Sequence, residues 1–411
     1  MMDRFFSSPA MLARLHVGPL GPYMEIFAKL LSKRGYARGT IQRQLRGLTQ
    51  LSHWLEERGA EVTDLDEGSL VDFEEHAPRS RETLRKLRPV YATLLEHLRE
   101  IGAVAPFVPA PPISALDFAL HDFSRYLAEQ RGLELTTITR YRRLIRDFLV
   151  ECFGSGPIRV GELNAENVRH FILRRARMGG SASASKAGSA LRHFLRNLRH
   201  SGKTDTDLTA AIPTLATRLA KLPEALEPEQ VRQLLASCDL DCAEGRRDYA
   251  ILLLLARLGL RAGEVVAMEL SDLDWRSAEL TVRGKGLRYD RLPLLRDVGE
   301  ALANYLRQDR PVCSSPKVFL RLKAPYRGLA QATSIGSIVH RALQRAGLDP
   351  RHKGAHLLRH TLATEMLRQG ASLGEIARIL RHRHIQSTEI YARVDLDGLR
   401  ALAQPWPGDL S

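Results

Sequence analysis

Cysteine is scarce in this chain: only Cys152, Cys238, Cys242 and Cys313 occur among 411 residues. Four thiols in a chain this long do not make a disulfide framework. Cys238 and Cys242 are near enough in sequence to share a metal, but no second ligand pair lies close by, so they read as incidental thiols of a reducing compartment. No uncharged apolar run reaches the roughly 18 residues of a membrane span. Asp3 and Arg4 come early and no clean apolar stretch follows, so a secretory leader is not expected and the expected compartment is the cytoplasm. A metal-ligand cluster and a Walker-type phosphate loop are both missing from the motifs. One further absence is local: residues 167–203 hold no Asp or Glu.

What is present in excess is positive charge. Lys and Arg outnumber Asp and Glu 61 to 47, a formal net charge of +14, and Arg dominates the basic set. Such an excess attracts polyanions, nucleic acid being the usual partner. Arginine enrichment also follows from a GC-rich genome, so charge alone does not decide the matter. The length predicts two or three domains. Proline-rich breaks at Pro106 to Pro112 and around Ile212 to Pro228 divide the chain into 1–105, 113–212 and 222–411.

The first two segments resemble one another. Apolar residues at helical spacing run from Tyr23 to Leu55 with a break at Gly35, and Thr40 is the expected N-cap of the second helix. Further helices are expected at Ser69 to Glu75 and from Arg81 to Ile101, the last interrupted by Pro89. Arg34-Gly35 followed by Thr40-Ile41-Gln42-Arg43 returns as Arg131-Gly132 followed by Thr137-Ile138-Thr139-Arg140, 97 residues on. Leu98-Arg99 and Gly102 return as Leu198-Arg199 and Gly202, 100 residues on. Two tandem four-helix modules are the expectation. In the second, the acid-free run carries nine cations: Arg169, Arg174, Arg175, Arg177, Lys186, Arg192, Arg196, Arg199 and Lys203. A merely solvated face normally mixes both signs, so this one is expected to contact DNA.

The third segment holds the chemistry-bearing residues. A buried helix from Asp248 to Leu258 ends in Gly259-Leu260-Arg261-Ala262-Gly263-Glu264, which aims Arg261 from a rigid element with Glu264 one turn away. Alternating residues 278–283 and a second strand through Leu294 make a β-hairpin with Lys285 at its tip. His356, Arg359 and His360 share a helix face at i, i+3 and i+4. Guanidinium flanked by imidazole is a phosphate clamp. A helical stretch from Glu375 to His382 and then Tyr391 follow. Taken singly, each has a bland reading as an ion pair, a turn, a solvated face or a packing residue.

As an ordered set, these residues resemble the tyrosine recombinase (phage integrase) family over roughly 222–395, and the basic module before them looks like its core-binding domain. The resemblance implies a mainly α chain with a small antiparallel β element: helical DNA-binding modules followed by an α+β catalytic domain. It implies that Arg261 and Arg359 neutralise the scissile phosphate, and that His356 and His382 donate to it or manage the tyrosine's proton. Lys285 would protonate the leaving 5′-oxygen, and Tyr391 would form a 3′-phosphotyrosyl ester. Glu264 and His360 stand behind these as supporting residues. No cofactor, metal or ATP is implied. The implied partners are double-stranded DNA with inverted half-sites and further copies of the chain, as a dimer on one site and a tetramer at synapsis. The alternatives are a type IB topoisomerase and an accessory DNA-binding protein without strand cleavage. A tail with Leu396, Leu399, Ala401 and Leu402 at amphipathic spacing is expected to pack on its own domain or on a neighbour.

Overall fold

The computed structural model describes residues 2–76, 81–107, 114–154, 156–213, 223–284, 289–382, 384 and 387–392. Lys285 and the tail beyond 392 lie outside the described residues. By packing, the chain divides into two units, Met1–Pro106 together with Leu222–Ser411, and Phe107–Lys221. The first and last of the three segments read from sequence fall in one unit.

The front of the chain is helical: α1 (Pro9–Leu15), α2 (Met24–Lys33), α3 (Arg38–Glu57), α4 (Glu67–His76) and α5 (Arg81–Glu100). Two expectations fail here. The N-cap of α3 is Ala37, not Thr40, because Gly35 turns in the left-handed region (φ 82°) and the helix starts sooner. Pro89 does not interrupt α5. The hydrogen bond that proline forfeits is outweighed by the apolar face running through it, where Leu87, Val90, Tyr91, Leu94, Leu95 and Leu98 are all buried.

The other unit repeats this order: α6 (Ala115–Arg125), α7 (Leu135–Phe153) and the long α8 (Ala165–His200). Non-helical backbone at Gly179 and Gly180 breaks α8 into two halves, which correspond to α4 and α5. Short 3-10 turns, Val62–Asp64 and Val160–Glu162, sit at matching places. Buried Met24, Phe27 and Leu31 recur as buried Leu120, Phe123 and Leu127, 96 residues on. A five-residue π-helical turn, Tyr126–Gln130, then takes up one extra residue. From there Ile41, Leu48 and Leu51 recur as Ile138, Ile145 and Phe148, 97 residues on.

From residue 223 the chain builds a larger core. Its axis is α10 (Ala243–Leu258), with α9 (Pro228–Ala236) before it. Ile251, Leu252, Leu254 and Leu255 are wholly buried on successive faces, each contributing about 2 kcal/mol. After α11 (Ala262–Ala267) come β1 (Leu273–Asp274), β2 (Glu279–Arg283) and β3 (Tyr289–Pro293), an antiparallel sheet in the order 1-2-3. Leu280 and Val282 of β2 turn into the core, and Leu280 pairs with Leu292. The hairpin therefore forms as expected, with Lys285 in its connection. Helices α12 (Arg296–Gln308), α13 (Ala332–Arg345), α14 (Ala355–Arg368), α15 (Leu373–Ile379) and α16 (Glu389–Ala392) complete the segment. Helix α15 stops before His382, because Arg381 adopts a left-handed backbone (φ 55°) that a helix cannot continue.

Gly35 also seats the front helices against this segment. Tyr326 donates its N–H to the Arg34 carbonyl at 2.9 Å, and a Cβ on Gly35 would lie 2.1 Å from the Tyr326 ring. Gly132, the matching residue, has φ 58° and open space around it. Gly132→Ala is therefore expected to cost about 1 kcal/mol, from backbone strain alone. Gly35→Ala should cost distinctly more, as read from urea unfolding midpoints. Equal costs would show that the Tyr326 ring swings aside freely.

Candidate active site

The site is assembled where the ends of α10 and α15 meet α14. Helix α10 closes on Gly259 (φ 57°), and the space a Cβ would take is filled by Leu380, 2.7 Å away, and Leu362, 3.0 Å away. Only glycine permits both the turn and this approach. Arg359, on α14 and 3 % exposed, uses the approach by donating to the carbonyls of Gly259 and Leu380. Burial and the nearby charges of Arg261 and Arg381 lower its pKa to about 10, which leaves it charged at neutral pH.

Two residues beyond Gly259, Arg261 caps α11. Its Nη1 donates to Glu264 Oε1 at 2.6 Å, and its backbone N–H donates to Oε2 at 2.9 Å. Its Nη2 donates to the Arg381 carbonyl at 3.1 Å. Arg381 in turn donates to Glu264 Oε2 at 2.8 Å. Burial pushes the Glu264 carboxyl up, but Arg381 and Arg261 outweigh it and the net shift is downward. Two guanidinium groups thus share one carboxylate, while the third, Arg359, is bonded only to main-chain carbonyls. The uncompensated positive charge is what a phosphodiester would neutralise.

The histidines divide the remaining work. His382 Nδ1 lies 2.7 Å from the buried Thr388 hydroxyl, and burial together with Arg359 and Arg261 lowers its pKa to about 4. His360 Nδ1 lies 2.8 Å from the Tyr391 hydroxyl. Burial, His356 and Arg359 hold His360 at about 4, so at neutral pH it is an uncharged ring able to accept the phenol O–H. Tyr391, on α16, is 1 % exposed and packed among Ala363, Ile376 and Leu380. Burial raises its pKa to about 12 against the opposing pull of Arg359. His356 is exposed, its ring centroid 6.2 Å from that of His360. Six sequence-derived residues therefore come together: Arg261, Glu264, Arg359, His360, His382 and Tyr391. It is His360, not His356, that touches the tyrosine. Arg381 and Thr388 were missed, and the only sequence signal for Arg381 is a cation one residue before His382.

The matches to known proteins follow these residues. The Phage integrase family model covers residues 224–397, and the Phage integrase, N-terminal SAM-like domain model covers 120–202. The integrase/recombinase homologue y4rA of Sinorhizobium fredii is 42% identical over 415 residues, spanning 99% of this chain and 100% of that protein. The chain belongs to the tyrosine recombinase (phage integrase) family. The recombinase is also 30% identical to tyrosine recombinase XerD of Listeria monocytogenes over 280 residues, 67% of this chain and 93% of that one. Its fold resembles that of XerH site-specific recombinase bound to palindromic difH substrate, with a TM-score of 0.54 and 17% identity over 72% of this chain and 98% of that one. A lambda integrase dimer bound to a core site gives a TM-score of 0.51 at 18% identity, covering 67% and 94%.

The basic face of the recombinase's second module proves less uniform than its acid-free sequence. Arg174 pairs with Glu151, Arg175 with Asp147 (3.0 Å), Arg199 with Asp207 (3.0 Å) and Lys203 with Asp122 (2.7 Å). These counter-charges come from α6, α7 and the segment after α8, outside the run itself. Arg169, Arg177, Lys186, Arg192 and Arg196 have no ion pair among the described residues. Arg131, Arg196 and Arg199 line a cleft of about 770 Å³ with Tyr126 and Gln130. The four thiols are free, and Cys242 Sγ accepts the Gly245 N–H at 3.3 Å, capping α10.

Glu264→Ala strands two guanidinium groups, one of them buried, and is expected to cost about 3 kcal/mol in denaturant titration. Arg381→Gly leaves Glu264 with Arg261 and recovers about 1 kcal/mol of left-handed strain, so its cost should be smaller. The reverse order would mean that Arg381, not Arg261, holds the carboxylate. The histidines give a second expectation. Folded values near 4 for His360 and His382 lie below the unfolded value of about 6.5, so the unfolded chain binds protons first as pH falls. Their contribution is complete above about pH 6.5 and is lost between there and about 4. Unfolding midpoints followed across that window should fall less steeply in the double variant His360→Asn, His382→Asn than in the parent.

Proposed function

We propose that this recombinase cuts one strand of duplex DNA at a specific site by attack of Tyr391 on phosphorus, keeps the strand as a 3′-phosphotyrosyl ester, and rejoins it without metal or nucleotide. The observation that carries the reading is the Tyr391 phenol, buried and bonded to neutral His360, the residue next to Arg359. The Tyr391 oxygen forms a bond to phosphorus as the bond from phosphorus to the 5′-oxygen breaks. His360 accepts the phenol proton. Arg261 and Arg359 neutralise the non-bridging oxygens, with His356 and His382 as further donors to them. Lys285 delivers the proton that the departing 5′-oxygen needs. One phosphoester replaces another, so rejoining needs no external energy source. Binding is to inverted half-sites as a dimer, and two dimers pair into a tetramer for exchange.

A nicked half-site from which the 5′-hydroxyl fragment diffuses away should trap the protein as a covalent adduct in the presence of a chelator. Tyr391→Phe should bind the same DNA and give no adduct. An adduct from the Phe variant would remove Tyr391 from its assigned role. Lys285→Ala should be slow on the ordinary diester and recover when the leaving oxygen is replaced by sulfur, which departs without protonation. Transfer of the cut strand to a second duplex is the expected outcome, and relaxation of supercoils by a monomer would point to a topoisomerase instead.

A further inference from the structure

Residues 2–107 lie ahead of both family-model matches, the first of which begins at 120. Yet the helices there repeat those of the matched module. Buried positions must recur if the packing does, so Phe27 and Phe123, or Leu48 and Ile145, say nothing of a ligand. Exposed positions are free of that demand. Three arginines outside the core nevertheless recur at the same offset of 97: Arg34, Arg43 and Arg46 as Arg131, Arg140 and Arg143. Arg43 and Arg46 are exposed one turn apart on α3, as Arg140 and Arg143 are on α7. Neither α3 nor α7 has its first N–H groups capped by its N-cap side chain.

The surrounding charge is segregated. Residues 26–55 hold six cations and no carboxylate, whereas 56–75 hold nine carboxylates and one cation, Arg58. A general enrichment in arginine would not produce that division. Lys29 of the first group pairs with Glu25 at 3.5 Å, but Lys33, Arg34, Arg38, Arg43 and Arg46 have no ion pair among the described residues. Elsewhere in the same module, on α5, arginines are held: Arg88 by Glu74 and Arg99 by Glu67. Arg46 sits 5.6 Å from the Phe6 ring centroid, a contact that steadies its stem and leaves its N–H groups open. A row of unpaired guanidinium groups on one exposed edge suits a regularly spaced polyanion.

We infer that the front module is a second duplex-binding module, which grips the DNA phosphate backbone through the Arg38–Arg43–Arg46 edge of α3. It uses the face that α7 presents in the module behind it. The inference rests on the DNA-binding reading of that second module, so the test examines both. The full chain is titrated with a mixed-sequence duplex over a range of salt concentrations. The front variant changes Arg38, Arg43 and Arg46 to Gln, keeping the aliphatic stems, and the control variant changes Arg140 and Arg143 to Gln. Each phosphate that is no longer neutralised lowers the slope of log K against log salt by about 0.9. The slope in the front variant should fall by up to about 2.7 and the affinity on the order of tenfold, with an unchanged unfolding midpoint. A parental slope in the front variant, alongside a reduced slope in the control, overturns this inference alone. Parental slopes in both overturn it together with the extension of the second module's DNA-binding reading to α7. A front variant that instead loses self-association at parental DNA affinity assigns the edge to another copy of the chain and overturns the inference equally.

Discussion

A buried cation that donates to two main-chain carbonyls holds the candidate site together. Arg359 reaches the Gly259 carbonyl on one side and the Leu380 carbonyl on the other, so it joins the end of one helix to the end of another that begins more than a hundred residues later. Neither acceptor carries a full charge. The guanidinium is therefore solvated by dipoles and not neutralised, which is tolerable only because a guanidinium gives up hydration more readily than an ammonium does. Glu264 offsets part of the charge, but its oxygens are already bonded to Arg261 and Arg381. The pocket is thus built around a deficit of negative charge, which an incoming phosphate would fill.

How much of this was legible in the sequence depends on range. Helical spacing fixes which residues share a face, so Arg359 and His360 could be placed on one helix, and Arg261 and Glu264 one turn apart, without any tertiary knowledge. The contact between His360 and Tyr391 was not legible, because it depends on how α16 folds back onto α14 across 31 residues. Arg381 was hidden for a related reason. Its role arises from a left-handed turn that ends α15 early, and arginine is not a residue type that announces such a turn. The stretch without carboxylates between 167 and 203 was legible as a run of cations but not as a set of partners, since a linear sequence does not show which acids lie across the helix–helix contact.

The repeated helices make the same point from the other direction. Matches between apolar residues at a constant offset are weak evidence on paper, because any two amphipathic helices can be slid into agreement. Folded, they become a constraint: the matching positions are buried in separate cores, and the breaks fall at equivalent turns, with Gly35 and Gly132 both left-handed, and Gly102 and Gly202 likewise. What the modules do not share is the charge on the third helix of the pattern. It is acidic in α4 and basic in the first half of α8, so two similar scaffolds present different surfaces.

The π-helical turn at Tyr126–Gln130 bears on how such a pair could drift apart. One residue added inside an ordinary α-helix rotates everything beyond it by about 100°, which would carry a buried face out to solvent. A widened turn stores the addition locally and leaves the phase of the next helix intact. Three of its neighbours in space, Arg196, Arg199 and His200, share with Tyr126 and Gln130 the wall of the arginine-lined cleft. The module behind thus differs in local shape at an arginine-lined recess while its buried positions match those of the front module. In this chain a single-residue insertion, which in most helices would be a folding defect, is a means of reshaping one surface of a repeated module without disturbing the other.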